Sequence, residues 1–165
     1  MSKLLEIIQN SDGDRLLVHF IGEMDGNADY SEISLVGVKY FEIDFSRISL
    51  INSTGVQSWV KFITDLPDHC ELVLRKCSAR IINQMNQFSG FLGNKKVRVE
   101  SFFAPYYCES CDKGMDVLIK KEMMNKNDEV MQAPQSSCTQ CGADLEFDSV
   151  ASRYFSFIKR YGVLD

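Results

Sequence analysis

Two cysteine pairs, Cys108-x-x-Cys111 and Cys138-x-x-Cys141, constrain this chain more than any other feature. A C-x-x-C turn presents two thiolates on one side of a tight loop, and two such turns complete a tetrahedron around Zn²⁺. The pairs stand 26 residues apart, enough chain for a small hairpin between them. Gly142 directly follows the second pair and Gly114 lies three residues after the first. Glycine there lets the backbone fold back so that amide N–H groups point at the sulfurs. A redox dithiol needs only one such pair, and two disulfides need an oxidising compartment. The duplicated motif therefore favours a structural zinc ion held by Cys108, Cys111, Cys138 and Cys141, with no coordination position left for water or substrate.

The compartment bears on that choice. No apolar run approaches the ~20 residues that span a bilayer. The opening segment, Met1 to Ile8, is too short an apolar stretch, interrupted by Glu6, to act as a secretory signal. A cytoplasmic address follows as the expectation, with thiols reduced and free for metal and no membrane partner. The net charge is −5, and residues 106–165 carry seven Lys/Arg against ten Asp/Glu. Nucleic-acid binders normally present a basic face, and this charge balance argues against nucleic acid as the partner.

Periodicity divides the 165 residues into an α/β part and a small appendage. Residues 4–8 and 15–21 are apolar segments around the turn-rich Asn10–Asp14, which predicts a hairpin. Residues 22–37 hold three glycines and a weak pattern, so any helix there is short. Residues 40–51 read as a strand with its exit. Val56, Trp59, Val60, Phe62, Ile63 and Leu66 recur three and four apart as a helix closed by Pro67. A strand at 71–75, a helix capped by Ser78 with Ile81, Ile82, Met85 and Phe88 on its apolar face, and a strand at 97–103 complete the alternation. A mixed sheet covered by helices on one face is the predicted fold class. The boundary is placed at Ala104-Pro105, giving residues 1–104 as one domain and 105–165 as a zinc-ribbon module. The latter is read with a strand at 116–119, a polar loop at 125–137 and a helix at 149–161.

Between the strand at 40–51 and its helix sits Asn52-Ser53-Thr54-Gly55. Asn, Ser and Thr are good helix caps, and Thr54 with Gln57 has capping-box spacing. This turn follows Phe41-Glu-Ile-Asp-Phe-Ser-Arg-Ile-Ser-Leu-Ile51, and Gly22-Glu-Met-Asp25 follows an earlier strand. Together the segments resemble the STAS domain, the module of anti-sigma-factor antagonists and sulfate-transporter tails, over residues 4–103. Ser78–Phe88 is similar to that family's last conserved helix. The resemblance implies a non-enzymatic regulator that binds a protein partner such as an anti-sigma factor or switch kinase. The contact would be Asn52, Ser53, Thr54 and Gly55, with Ser53 at the family's phosphoserine position. A phosphate there would lie at a helix N-terminus, where free N–H groups favour negative charge. Asn52 stands where the family usually has aspartate, and only 15 residues separate Asp25 from Phe41, which implies a shortened first helix.

Other residues take plainer roles. His19 and His69 have no Cys, Ser or acidic partner at recognisable spacing and are assigned structural or surface positions. Cys70 and Cys77 flank the strand at 71–75 as buried free thiols. Trp59 belongs to the core. Met115, Met123, Met124 and Met131 are expected to fill the zinc module's small core. Glu42 and Asp44 are read as facing alternate sides of their strand, hence as no acid/base pair. Phe155, Phe157 and Ile158 should pack the last helix against the ribbon, the α/β part or a second subunit. Two rival functions remain open: a nucleic-acid or ribonucleoprotein adaptor with the ribbon as reader, and a thiol oxidoreductase using one C-x-x-C pair.

Overall fold

In a computed structural model, residues 4–165 are described, and they form two sheets and four helices. The first sheet comprises β1 (Glu6–Asp12), β2 (Arg15–Met24), β3 (Tyr40–Ile51), β4 (Glu71–Arg75) and β5 (Val97–Val99), hydrogen-bonded in that order. β1 and β2 are an antiparallel hairpin, and every later pairing is parallel. The hairpin turns on Gly13-Asp14, with Gly13 at φ 57°, a two-residue connection that suits the twist of the flanking strands. α1 (Ser53–Thr64) connects β3 to β4, and α2 (Ala79–Gln87) connects β4 to β5. Strands added successively in one direction through right-handed crossovers place both helices on the same face.

That face is apolar throughout. Leu16, Val18 and Phe20 of β2 and Phe41, Ile43 and Phe45 of β3 are at most 3 % exposed. Trp59 of α1 packs edge-on against Phe20 and Phe45, and its Nε1–H donates to the carbonyl of Phe91 at 2.8 Å. Tyr30 closes the cluster by stacking on Phe62. Trp59 is therefore core, as its spacing predicts. Cys70 and Cys77 are likewise buried, and burial pushes both thiols up.

The opposite face carries charge instead of helices. Glu42 and Asp44, two residues apart on β3, point to the same side, which corrects their assignment to opposite faces: strand side chains repeat every second residue. Glu42 is ion-paired with Arg15 at 2.6 Å and Arg75 at 2.9 Å. Asp44 lies 3.4 Å from His19 and 3.7 Å from Lys76. His19 thus has an acidic partner, invisible to local spacing because it comes from the neighbouring strand. Along the edge, Arg98 bridges Glu71 and Glu100. These interlocked pairs cover the sheet where no second helical layer exists.

Residues 25–39 contain turns and no helix, so the first connection is not a shortened helix but none at all. The strand expected at 97–103 is two strands, broken at Glu100: β5, and β6 (Ser101–Cys108), which belongs to the second sheet. The proposed boundary at 104–105 falls inside β6, whose side chains alternate buried and half-buried from Ser101 to Cys108. The second sheet has the order β7–β6–β8, with β7 (Lys113–Lys120) and β8 (Glu146–Phe147) antiparallel to β6. Cys77 bridges to Phe102, so the two sheets meet beside the start of α2.

The last helix is also divided. α3 (Ala151–Tyr154) and α4 (Ser156–Arg160) are separated at Phe155, whose ψ of 10° leaves the helical range. The bend lets successive aromatics serve different neighbours: Phe157 meets Phe102 edge-on at 5.0 Å, and Phe155 stacks on Phe147 at 5.1 Å. Phe155, Phe157 and Ile158 are at most 2 % exposed within a hydrophobic cluster continuous with the first sheet's core. Met124 and Met131 are buried there too, Met115 packs against the cluster, and Met123 is exposed.

Candidate functional site

Two places concentrate chemistry. The first is the junction of β3 and α1. Asn52 caps α1: its Oδ1 accepts from the Gly55 N–H at 2.9 Å and from the Thr54 hydroxyl at 2.8 Å. The cap is thus Asn52, two positions before Thr54, and the Thr54–Gln57 capping box expected from spacing gives way to a one-sided Asn52 cap, since Gly55 has no side chain to reach back. Gly55 is required by a close approach. A Cβ there would lie 1.8 Å from the Met24 carbonyl oxygen and 2.9 Å from the Asp25 nitrogen. The Asn52 N–H also donates to the Met24 carbonyl at 3.3 Å. The Gly22–Asp25 and Asn52–Gly55 segments, distant in sequence, are therefore pressed together at the ends of β2 and β3.

Ser53 is exposed at the first position of α1. From it runs a groove of about 510 Å³ between α1 and α2, lined by Ser53, Val56, Val60, Lys61, Gln84 and Phe88 among others. Ser53, Val56, Val60 and Lys61 fall on one helical stripe, and Gln84 and Phe88 face them from α2. Phe88 is 44 % exposed, high for a side chain of that size. Lys61 is the one charged residue of the lining.

The second place is the cysteine centre. β6 delivers Cys108 at its end, and the tight connection to β7 carries Cys111. Cys138 and Cys141 lie on a facing hairpin held by Cys138 N–H to Ala143 O at 2.8 Å and Leu145 N–H to Ser136 O at 2.9 Å. The four sulfurs lie within 4.8 Å of one another. Cys108 Sγ is 3.6 Å from Cys141 Sγ, and Cys111 Sγ is 3.9 Å from Cys138 Sγ. A tetrahedral ion with metal–sulfur bonds of about 2.3 Å requires sulfur separations of about 3.8 Å, so the donor set fits such an ion.

The knuckles are locally matched. Gly142 follows Cys141 at φ 76°, and Asp112 follows Cys111 at φ 49°. Gly114, assigned to the first knuckle by proximity, is instead a β7 residue paired with Tyr107. The sequence signal is position: the residue directly after each second cysteine takes the left-handed conformation, and Asp tolerates it better than most side chains. Tyr107 donates its hydroxyl to Asp112, which holds that residue in place. Backbone N–H groups of Cys141 and Gln140 push the Cys138 thiol down to about 6. Hydrogen bonding to Cys141 and Cys108 pushes Cys111 up to about 12. Crowded thiols cannot all ionise unaided, and a cation between them removes that conflict.

His69 is exposed and apart from both places, and His19 belongs to the charged sheet face. Glu109, Asp112, Asp144 and Glu146 make the surroundings of the cysteine knuckles acidic. Among the described residues no helix is long and apolar enough to cross a membrane. No protein-family model matches the chain, and no curated protein is a significant match.

Proposed function

We propose that this protein is a non-enzymatic regulator that captures a protein partner at the Asn52–Gly55 turn and the adjoining α1/α2 groove, with a zinc ribbon as its structural tail. The observation that carries the proposal is the packing of Gly55 against Met24 and Asp25. It joins the two segments that resemble STAS motifs into one surface and leaves Ser53 exposed at the mouth of an apolar groove. The reading is supported by a mixed first sheet, antiparallel between β1 and β2 and parallel from β2 to β5, with α1 and α2 as its connections. A partner of the anti-sigma-factor or switch-kinase kind would cover Val56, Val60 and Phe88. Phosphorylation of Ser53 would set about −1.5 to −2 charges at the rim of that contact, held by the free N–H groups opening α1.

Zinc is the ion assigned to the cysteine centre. Four thiolates on two knuckles saturate a tetrahedral site, which makes the role structural. The acidic knuckle surroundings favour this over a nucleic-acid reader, whose binding would rest on phosphate contacts.

Quantitative affinity capture from the native cell tests the proposal, with wild type compared against Val60→Asp, Ser53→Asp and the opposite-face variant Ile8→Asp. A specific partner should be retained by Ile8→Asp and lost from the other two. Retention by Val60→Asp and Ser53→Asp would place the partner elsewhere.

A further inference from the structure

The last turn of α2 contains no basic residue of its own. The final carbonyls of a helix have no intrahelical partner and sit at the negative end of its dipole. In this chain the tail supplies what α2 lacks. Arg160 donates to the carbonyls of Met85 at 3.0 Å and Asn86 at 2.7 Å. The Tyr161 hydroxyl lies 3.3 Å from the carbonyls of Met85 and Phe88. The Asn86 side chain donates to the Tyr154 carbonyl and accepts from the Ser156 hydroxyl, each at 2.8 Å.

The turn so held carries Gln84 and Phe88, the α2 wall of the groove. Just beyond it, Phe91 accepts the indole N–H of Trp59, the chain's single tryptophan. The tail is in turn fixed to the strand that ends in the metal centre. The Tyr154 hydroxyl donates to Phe103 O at 2.5 Å, and the Asp148 N–H donates to Pro105 O at 2.9 Å, both on β6, whose last residue is Cys108. A continuous set of packed and hydrogen-bonded groups thus runs from the four cysteines through the tail to the groove.

We infer that Arg160 is a positioning residue for the partner groove, and that metal occupancy at Cys108, Cys111, Cys138 and Cys141 sets the α2 wall through it. With metal bound, the knuckles hold β6 and β8, the tail docks, and Arg160 keeps the end of α2 closed. With metal removed, the hairpins lose their cross-link, the tail loosens and the last turn of α2 frays. The groove's role in partner capture rests on the function proposed above, whereas the coupling is a property of this chain alone.

The test uses full-length protein loaded with one equivalent of Zn²⁺ under reducing conditions, read by hydrogen exchange and Trp59 fluorescence before and after chelation. Exchange in residues 84–92 should rise roughly ten-fold on chelation, the scale of losing a charge-assisted hydrogen bond, and Trp59 emission should shift. Arg160→Ala should reproduce both changes at 84–92 while zinc content and exchange in β2 and β3 stay as in wild type. Arg160→Lys should fall between, because an ammonium does not offer the guanidinium's fork of donors. Loosening confined to residues 106–147 on chelation would overturn the inference, as would an Arg160→Ala protein identical to wild type. Faster exchange throughout the sheet in Arg160→Ala would also overturn it, since Arg160 would then support global stability. No partner enters these measurements. Their failure leaves the groove proposal standing, and a partner that binds elsewhere leaves the coupling standing.

Discussion

The first sheet and the cysteine module solve the same problem with different forces. Around β2 and β3 the chain buries Phe20, Phe41, Phe45, Trp59 and their neighbours under two helices, and removal of apolar surface from water holds the layers together. Around β6–β8 only a small, partly exposed sheet is available, and β7 has a single fully buried residue, Ile119. Little apolar surface is covered there to fix the two knuckles, and in the zinc-ribbon reading proposed above four sulfurs drawn to one ion do it instead. The tail helices then borrow the larger core through Phe102, Phe155 and Phe157. On that reading, a region poor in core is ordered from one side by a metal and from the other by its neighbour.

The sharpest break in that comparison is Cys138→Ser. Metal should be lost, and the tail should lose most of its exchange protection, because the binding free energy of a structural zinc is about 10–16 kcal/mol in small modules. Residues of β2, β3 and α1 should keep theirs. Loss of the whole far-ultraviolet signal would show one cooperative unit with no distinction between the regions.

Phe157→Ala probes the seam. Phe157 is fully buried against Phe102, and truncation should cost about 3–5 kcal/mol in denaturant unfolding. A cost under about 1 kcal/mol would mean that the tail contributes nothing to the larger core.

Within the α/β region, Gly55→Ala places a methyl group into the Met24 carbonyl, and overpacking of that kind costs about 1–3 kcal/mol or more. Zinc content should not change. Asn52→Ala removes the α1 cap and should cost about 1 kcal/mol. Ser53→Asp should be the smallest effect on stability, within about 0.5 kcal/mol, because Ser53 is exposed and an acidic group at a helix start is tolerated. A large drop in melting temperature for Ser53→Asp would make that position structural.

What the sequence revealed divides along the same line. The alternation of strands and helices from 4 to 99 was legible because each element buries a face with its own period, as in the Val56–Leu66 helix. The cysteine quartet was legible because spacing alone constrains two C-x-x-C turns. Cross-strand neighbours were not: His19 meets Asp44, and Arg15 and Arg75 clasp Glu42, through register that no local pattern encodes. The break at Glu100 was hidden because residues 97–103 are uniformly strand-like, although the chain changes sheets there. The bend at Phe155 was hidden for a related reason. Tyr154, Phe155, Phe157 and Tyr161 look like one helical face, whereas they pack against three different surroundings. The Asn52 cap was not singled out because Ser, Thr and Asn all have capping chemistry and the capping-box spacing pointed to Thr54, two positions further on; the Asn52 bond to the Gly55 N–H decides among them.

The proposed division between a core-held region and a metal-held one stands most directly on the cysteine centre. Native mass spectrometry of unchelated protein, followed by mass measurement of the unfolded chain without reductant, tests it. The account predicts one zinc ion per chain in the native spectrum and an unfolded chain with all its cysteine hydrogens. A metal-free native mass, or an unfolded mass lowered by the hydrogens lost on pairing Cys108, Cys111, Cys138 and Cys141 as disulfides, would contradict it.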